Sequence, residues 1–177
     1  GSPDTELLEP VAARDRLSIP HNRLAIACIA NFYRTKGLDV LINALSMLPA
    51  DIREQVHCYM FGDGELRPDL SALITALDLK TVHLLGRVEN AASLLPAFDF
   101  AVLPSRKEGF PYAALEYLKA GLYTVATNAG GTPEALGELR CKHEDRAQMV
   151  RYLRPETPVR LDADGSLVIS SEPRTAL

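Results

Sequence analysis

The sequence predicts an α/β fold, a parallel sheet with helices on both faces, and three observations carry that expectation. Short, continuous apolar runs recur along the chain. Between them lie stretches whose apolar residues repeat at helical spacing. Runs without polar alternation suit strands buried on both faces, and strands that alternate with helices form βαβ units. The glycine-rich and charged loops fall just after the apolar runs, at the strand ends where such sheets take ligands.

Residues 1–22 are polar and carry Pro3, Pro10 and Pro20. They read as an interdomain linker or N-terminal arm with one short helix, and Gly1-Ser2 reads as a cloning remnant. Leu24–Ala30 is the first strand, an unbroken apolar run. Thr35–Leu48 has apolar residues at 38, 41, 42, 45 and 48, a helical period that Pro49 closes. Val56–Phe61 is the second strand and Leu66–Leu77 the next helix. Val82–Leu85 is the third strand, Ala91–Ala97 a short helix and Phe98–Leu103 the fourth strand. Tyr112–Ala120 is a helix with Gly121 as its C-cap. Tyr123–Thr127 is the fifth strand. Short helices are expected from Pro133 and over Glu144–Leu153. Pro155 and Pro158 then break the pattern, and Val159–Ile169 suits a hairpin turning at Asp164-Gly165. The expected organisation is therefore an arm at 1–22, a ligand-binding domain at 23–154 and a tail at 155–177.

At 177 residues the chain suits one domain, which buries roughly 70% of its unfolded surface without staples. The net charge of −4 gives no general attraction for nucleic acid. Cys28, Cys58 and Cys141 form no CxxC pair and read as reduced thiols. The sequence has no secretory signal and no apolar run of about 18 residues, so a cytoplasmic setting is expected. The four histidines show no metal-ligand spacing, and His57 and His83, in expected strands, read as structural.

The chemistry concentrates at 108–134. Glu108-Gly109-Phe110-Pro111 forms a turn after the fourth strand, and Glu116 lies in the helix that follows. A strand–turn–helix junction directs backbone N–H groups and a helix N-terminus at one spot, which favours phosphate. Carboxylates flanking that spot accept hydrogen bonds from sugar hydroxyls. Lys36, after the first strand, is a compact charge suited to a diphosphate. Gly130-Gly131, after the fifth strand, offers a second close-approach turn. Each feature has a plainer reading: a solvated lysine, turn punctuation, an exposed-face glutamate, an ordinary loop. Their convergence on one sheet edge argues for a site that takes a phosphorylated sugar.

With these loops together, the chain resembles the C-terminal half of group 1 glycosyltransferases, the retaining family four of GT-B fold, over about Asp4 to Leu153. Asn31-Phe-Tyr-Arg34-Thr-Lys36-Gly37 resembles the family's phosphate loop. Phe61-Gly-Asp-Gly64 and His83-Leu-Leu-Gly-Arg87-Val88 match two further strand ends. Glu108 and Glu116, with seven residues between them, and Thr127-Asn-Ala-Gly130-Gly-Thr-Pro-Glu134 resemble its signature and the loop beyond.

The resemblance implies a Rossmann-like half of a GT-B fold that binds a nucleotide sugar, with UDP or GDP as the expected diphosphate. Glu108 becomes the catalytic candidate, contacting donor sugar hydroxyls, with backbone N–H groups of Gly109, Phe110 and Pro111 near sugar and phosphate. Glu116 would accept the ribose hydroxyls, and Lys36 would hold the diphosphate. Arg87 and Val88 would border the base. Asn31, Arg34 and Gly130 complete the donor set. The family often has Gly-Arg where Ala30-Asn31 stand, so Arg34 is the expected substitute cation. No cofactor and no obligatory metal are implied. The N-terminal half, with the acceptor site and a catalytic histidine, is absent from this chain, and peripheral membrane association belongs to the full enzyme. The competing expectation is a non-catalytic nucleotide-sugar or partner-binding module of the same fold; an epimerase half fits the 108–116 pattern poorly.

Overall fold

The computed structural model describes residues 6–138, 150–153, 159–161 and 167–169. Six parallel strands form one sheet: β1 (Leu24–Ile29), β2 (Val56–Phe61), β3 (Val82–Gly86), β4 (Phe100–Leu103), β5 (Tyr123–Thr127) and β6 (Val150–Leu153). Their spatial order is β3-β2-β1-β4-β5-β6. The order reverses direction between β1 and β4, so the topological switch point lies there. The connecting helices are α2 (Leu38–Ser46), α3 (Ala50–Arg53), α4 (Arg67–Ala76), α5 (Tyr112–Lys119) and α6 (Thr132–Glu138), with α1 (Pro10–Arg16) ahead of β1.

Strand alternation divides the core into two layers. Ile26 and Cys28 of β1 join Cys58 and Met60 of β2 beneath Leu38, Ile42, Leu45 and Leu70. On the opposite face Ala25 and Ala27 lie beside Tyr59 and Phe61, with Leu95, Phe98 and Tyr117. The small residues of β1 leave room for the rings of β2 on that face. Burial pushes the Cys28 thiol up to about 12 and the Cys58 thiol well above its ordinary value, so both are unreactive neutral groups.

The expected strands stand at β1–β5, with ends shifted by a residue or two, and three differences are physical. The stretch 35–48 is two pieces, a 3₁₀ turn at Arg34–Lys36 and α2, broken at Gly37 in the left-handed region (φ 64°). Helix α3 after Pro49 has no counterpart in the sequence-based expectation. Val150–Leu153, expected within a helix, is instead a strand running parallel to β5; residues 144–149 of that expected helix lie outside the described residues. The edge of β5 offers unpaired backbone groups, and satisfying them outweighs local periodicity. In the tail, β7 (Val159–Leu161) and β8 (Leu167–Ile169) pair antiparallel, as the hairpin expectation requires; its turn at 164–165 lies outside the described residues.

Residues 8–20 are docked rather than free. Ala13 is buried in the second core layer. The Arg14 guanidinium donates to the Pro20 and Arg23 carbonyls and to Asp99 at 2.7 Å. The same Asp99 oxygen accepts from the Ala25 amide at 2.6 Å, so the arm is tied to the start of β1.

Candidate functional site

The site begins where β1 and β4 part. Their pairing covers only Ile26–Phe100 and Ala27–Ala101. Beyond it the Ile29 amide donates to the buried Tyr117 hydroxyl at 2.6 Å. Tyr117 thereby replaces a strand partner and holds α5 beneath the crevice. Burial raises its phenol well above the ordinary range, so it stays protonated.

Two loops face each other across this crevice, and several contacts lock them together. Arg106 and Lys107 amides both donate to the Thr35 carbonyl, at 2.8 and 3.2 Å. The Arg106 guanidinium takes both oxygens of Asp39 at 2.6 and 2.7 Å and donates to the Arg34 carbonyl at 3.1 Å. This pairing holds the Asp39 carboxyl below its ordinary range. Gly37 packs so tightly that a Cβ there would lie 2.1 Å from the Pro104 carbonyl oxygen.

Within that frame Lys36 Nζ sits 2.8 Å from each Glu108 carboxylate oxygen. The Ser105 hydroxyl donates to Glu108 Oε2 at 2.8 Å. The Glu108 side chain is only 7% exposed and that of Lys36 22%. A carboxylate so enclosed needs these partners, because desolvation is costly when it is unpaired. The loop after β5 braces the same turn from behind. The Gly131 amide donates to the Gly109 carbonyl at 3.0 Å, and a Cβ on Gly130 would lie 1.7 Å from the Glu108 carbonyl oxygen. Gly130 has φ 53° besides.

A cleft of about 460 Å³ opens above these groups. Of the expected residues, Asn31, Lys36, Arg87, Val88, Glu108, Phe110, Pro111 and Glu116 line it. Arg34, Gly109 and Gly130 are not lining residues. Arg34, the expected substitute cation, is exposed, offers its carbonyl to Arg106 and does not line the cleft; the second lining cation is Arg87. Gly130 acts as a brace. Gly109, read as a close-approach glycine, would have no protein atom within 4 Å of a Cβ and does not adopt a left-handed φ. Pro111 is the residue before α5 rather than its first turn, with φ −83° and ψ 83°; it has no N–H to offer. The lining charges are Lys36 and Arg87 against Glu108 and Glu116, which balance.

Sequence reading missed Tyr112, a lining residue 71% exposed and edge-to-face with Phe110. It also missed Ser105, Asp39, Arg106 and Thr127, whose hydroxyl donates to the Leu103 and Ser105 carbonyls. Of these only Thr127 lies in a motif singled out in the sequence; the others gave no local signal, because each acts across a loop contact. Among the described residues no group of three or more His, Cys, Asp or Glu is placed to hold a metal, and no helix is long and apolar enough to cross a membrane.

The family model for group 1 glycosyl transferases matches residues 23–154. The chain belongs to this family. Among curated relatives, an uncharacterised glycosyltransferase of Methanocaldococcus jannaschii is 31% identical over 108 residues, covering 60% of this chain and 29% of the relative. The gpi3 subunit of the Schizosaccharomyces pombe phosphatidylinositol N-acetylglucosaminyltransferase is 28% identical over 148 residues, covering 82% and 30%. The chain therefore spans about a third of the length of these relatives. Among solved structures, Anabaena Alr3699/HepE in complex with UDP-glucose is 28% identical, with TM-score 0.63 and coverage of 76% of this chain and 36% of that one. The lipopolysaccharide glycosyltransferase WaaG, at 23% identity, shares the fold with TM-score 0.67 over 80% of this chain and 37% of its own. The Rossmann-like sheet of this glycosyltransferase-family chain is thus one half of a GT-B fold.

Proposed function

We propose that this chain is the donor-binding part of a retaining, hexosyl-type glycosyltransferase that uses a nucleotide sugar. The observation that carries the reading is the meeting of Lys36 and Glu108 at the switch point, in a cleft that Glu116 and Arg87 also line. The lysine suits the diphosphate, Glu108 the sugar hydroxyls and Glu116 the ribose. Arg87 and Val88 border the base. In transfer, the bond from the anomeric carbon to the diphosphate oxygen breaks, and the diphosphate leaves with the electron pair. Positive charge at Lys36 stabilises that departure. Retention of configuration is carried by the family resemblance, as is independence from a metal.

The acceptor oxygen forms the new bond to the anomeric carbon on the face that the diphosphate leaves and gives up its proton to the departing diphosphate; holding that hydroxyl in place supplies about 7–11 kcal/mol of a barrier. The cleft suits one ligand, so the acceptor site belongs to an N-terminal half, and the chain alone transfers no sugar. Two relatives act, by their names, on phosphatidylinositol or on a phosphatidylinositol mannoside. A cytoplasmic enzyme associated peripherally with a membrane fits that company. Titration calorimetry and thermal shift with UDP, GDP and ADP test the donor site. Weak binding of UDP or GDP is expected; no response to any of them at millimolar concentration overturns the reading. Incubation with radiolabelled UDP-glucose and GDP-mannose, with and without a separately expressed N-terminal half, tests the division of labour. Transfer by this chain alone overturns it.

A further inference from the structure

Building on the donor-site reading, we propose that Glu108 is a built-in competitor of phosphate for Lys36, and so makes the cleft select a sugar-bearing nucleotide over the free nucleoside diphosphate. Lys36 directs its ammonium at both Glu108 oxygens, each at 2.8 Å. A diphosphate that recruits Lys36 takes it from this carboxylate. Glu108 then keeps the Ser105 hydroxyl but loses its charged donor. At 7% exposure, water replaces little of what it loses. It also stands as a negative charge beside the incoming anion.

A sugar attached to the diphosphate changes this balance. Its hydroxyls donate to the carboxylate that the lysine has left, so Glu108 exchanges one set of donors for another. The free diphosphate supplies no such donors at the sugar position. The frame cannot relieve the penalty by moving apart, because the Thr35 carbonyl, the Arg106–Asp39 pair and the Gly37–Pro104 contact fix the two loops. The same exchange favours release of the spent diphosphate: once the sugar has gone, Glu108 reclaims Lys36.

Calorimetry of UDP against UDP-glucose, and of GDP against GDP-mannose, in the wild-type chain and in Glu108→Gln tests the idea. The amide keeps the shape and removes the charge. The wild type should favour the sugar nucleotide. Glu108→Gln should bind the free diphosphate about tenfold more tightly than the wild type, the low end for a hydrogen bond to a charged group, and lose the preference. In a Lys36→Ala background the Glu108→Gln gain should shrink to what removal of one negative charge gives, well below tenfold. Unchanged or weaker diphosphate binding in a folded Glu108→Gln chain overturns the proposal, as does a full gain without Lys36. If Glu108→Gln does not fold, Ser105→Ala serves instead. It leaves Glu108 more dependent on Lys36, so the preference for the sugar nucleotide should widen; an unchanged ratio overturns the proposal. Absence of any nucleotide binding by the wild type sinks the donor site itself, whereas normal wild-type binding without the gain sinks this inference alone.

Discussion

Two side-chain pairs join neighbouring segments at opposite ends of the sheet, and they behave differently. At the carboxyl ends of the strands, Lys36 and Glu108 carry opposite charges and satisfy each other. Toward the amino ends, His57 and His83 stand with ring nitrogens 3.3 Å apart on β2 and β3, and His83 stacks on Tyr59 at 4.6 Å. Burial lowers the affinity of both imidazoles for protons; Arg23 adds to the effect at His57, and His57 adds to it at His83. One end of the sheet concentrates compensated charge that a ligand exchanges for its own. At the histidine pair burial suppresses charge, and the polar rings serve as packing. A parallel sheet receives ligands at the first end, and the side chains of this protein follow that division.

The sharpest way to break the contrast is to disturb the frame under the charged pair. Gly130→Ala places a methyl group against the Glu108 carbonyl at a left-handed φ. A loss of about 3 kcal/mol or more is expected in urea denaturation, together with loss of nucleotide binding. Gly109→Ala, one residue beyond Glu108, meets no protein atom within 4 Å and should leave stability unchanged. Equal stability of the two variants would show that the loop after β5 does not brace the site.

Removing the cation tests the charged end directly. Lys36→Ala should weaken UDP or GDP binding by roughly 1.5–3 kcal/mol, the range for hydrogen bonds to charged groups, and leave uridine or guanosine binding nearly unchanged. Calorimetry on each nucleotide and its nucleoside separates the cases. Equal losses mean that Lys36 does not meet phosphate.

The loop strap should matter less, because Asp39 and Arg106 are both about two-fifths exposed. Asp39→Asn should cost no more than about 1 kcal/mol at neutral pH. Asp39 has its carboxyl lowered in the folded state, so its contribution is present above the unfolded value of 3.8 and is lost as pH falls through the lower folded value. Denaturation of wild type and variant should therefore converge below that point. A constant gap down to low pH would mean that the charge on Asp39 is not what stabilises the loops.

The smallest effect belongs to the histidine end. Both imidazoles bind protons less readily when folded than at the ordinary value of 6.5. The unfolded chain then holds more protons below that value, so stability falls as pH drops beneath it and is unaffected above it. His83→Phe keeps the stacking and removes one titrating group. Melting temperatures between about pH 7.5 and about pH 5 should show a shallower decline in this variant; an identical slope would mean that His83 is not desolvated.

How much of this is legible in the sequence differs by element. Strands β1 and β2 are readable within a residue because their apolar runs reflect burial on both faces. The break at Gly37 is not, since the apolar spacing begins only at position 38 and the Pro104 carbonyl that crowds Gly37 belongs to another loop. Val150–Leu153 reads locally as helix because the edge of β5, which it satisfies, lies far away in sequence. In the site, Lys36, Glu108 and Glu116 are legible from residue type and loop position. Their arrangement is not: Lys36 and Glu108 are 72 residues apart, as Arg106 and Asp39 are 67 apart.

Residue order alone therefore set the succession of strands and helices and the end of the sheet that gathers reactive groups, because burial and turn chemistry act over a few neighbouring positions. Packing of distant loops decided which charges meet, that Gly130 braces the Glu108 turn, and that Arg87 lines the cleft while Arg34 does not. Those outcomes depend on contacts between segments whose separation in space no local pattern encodes.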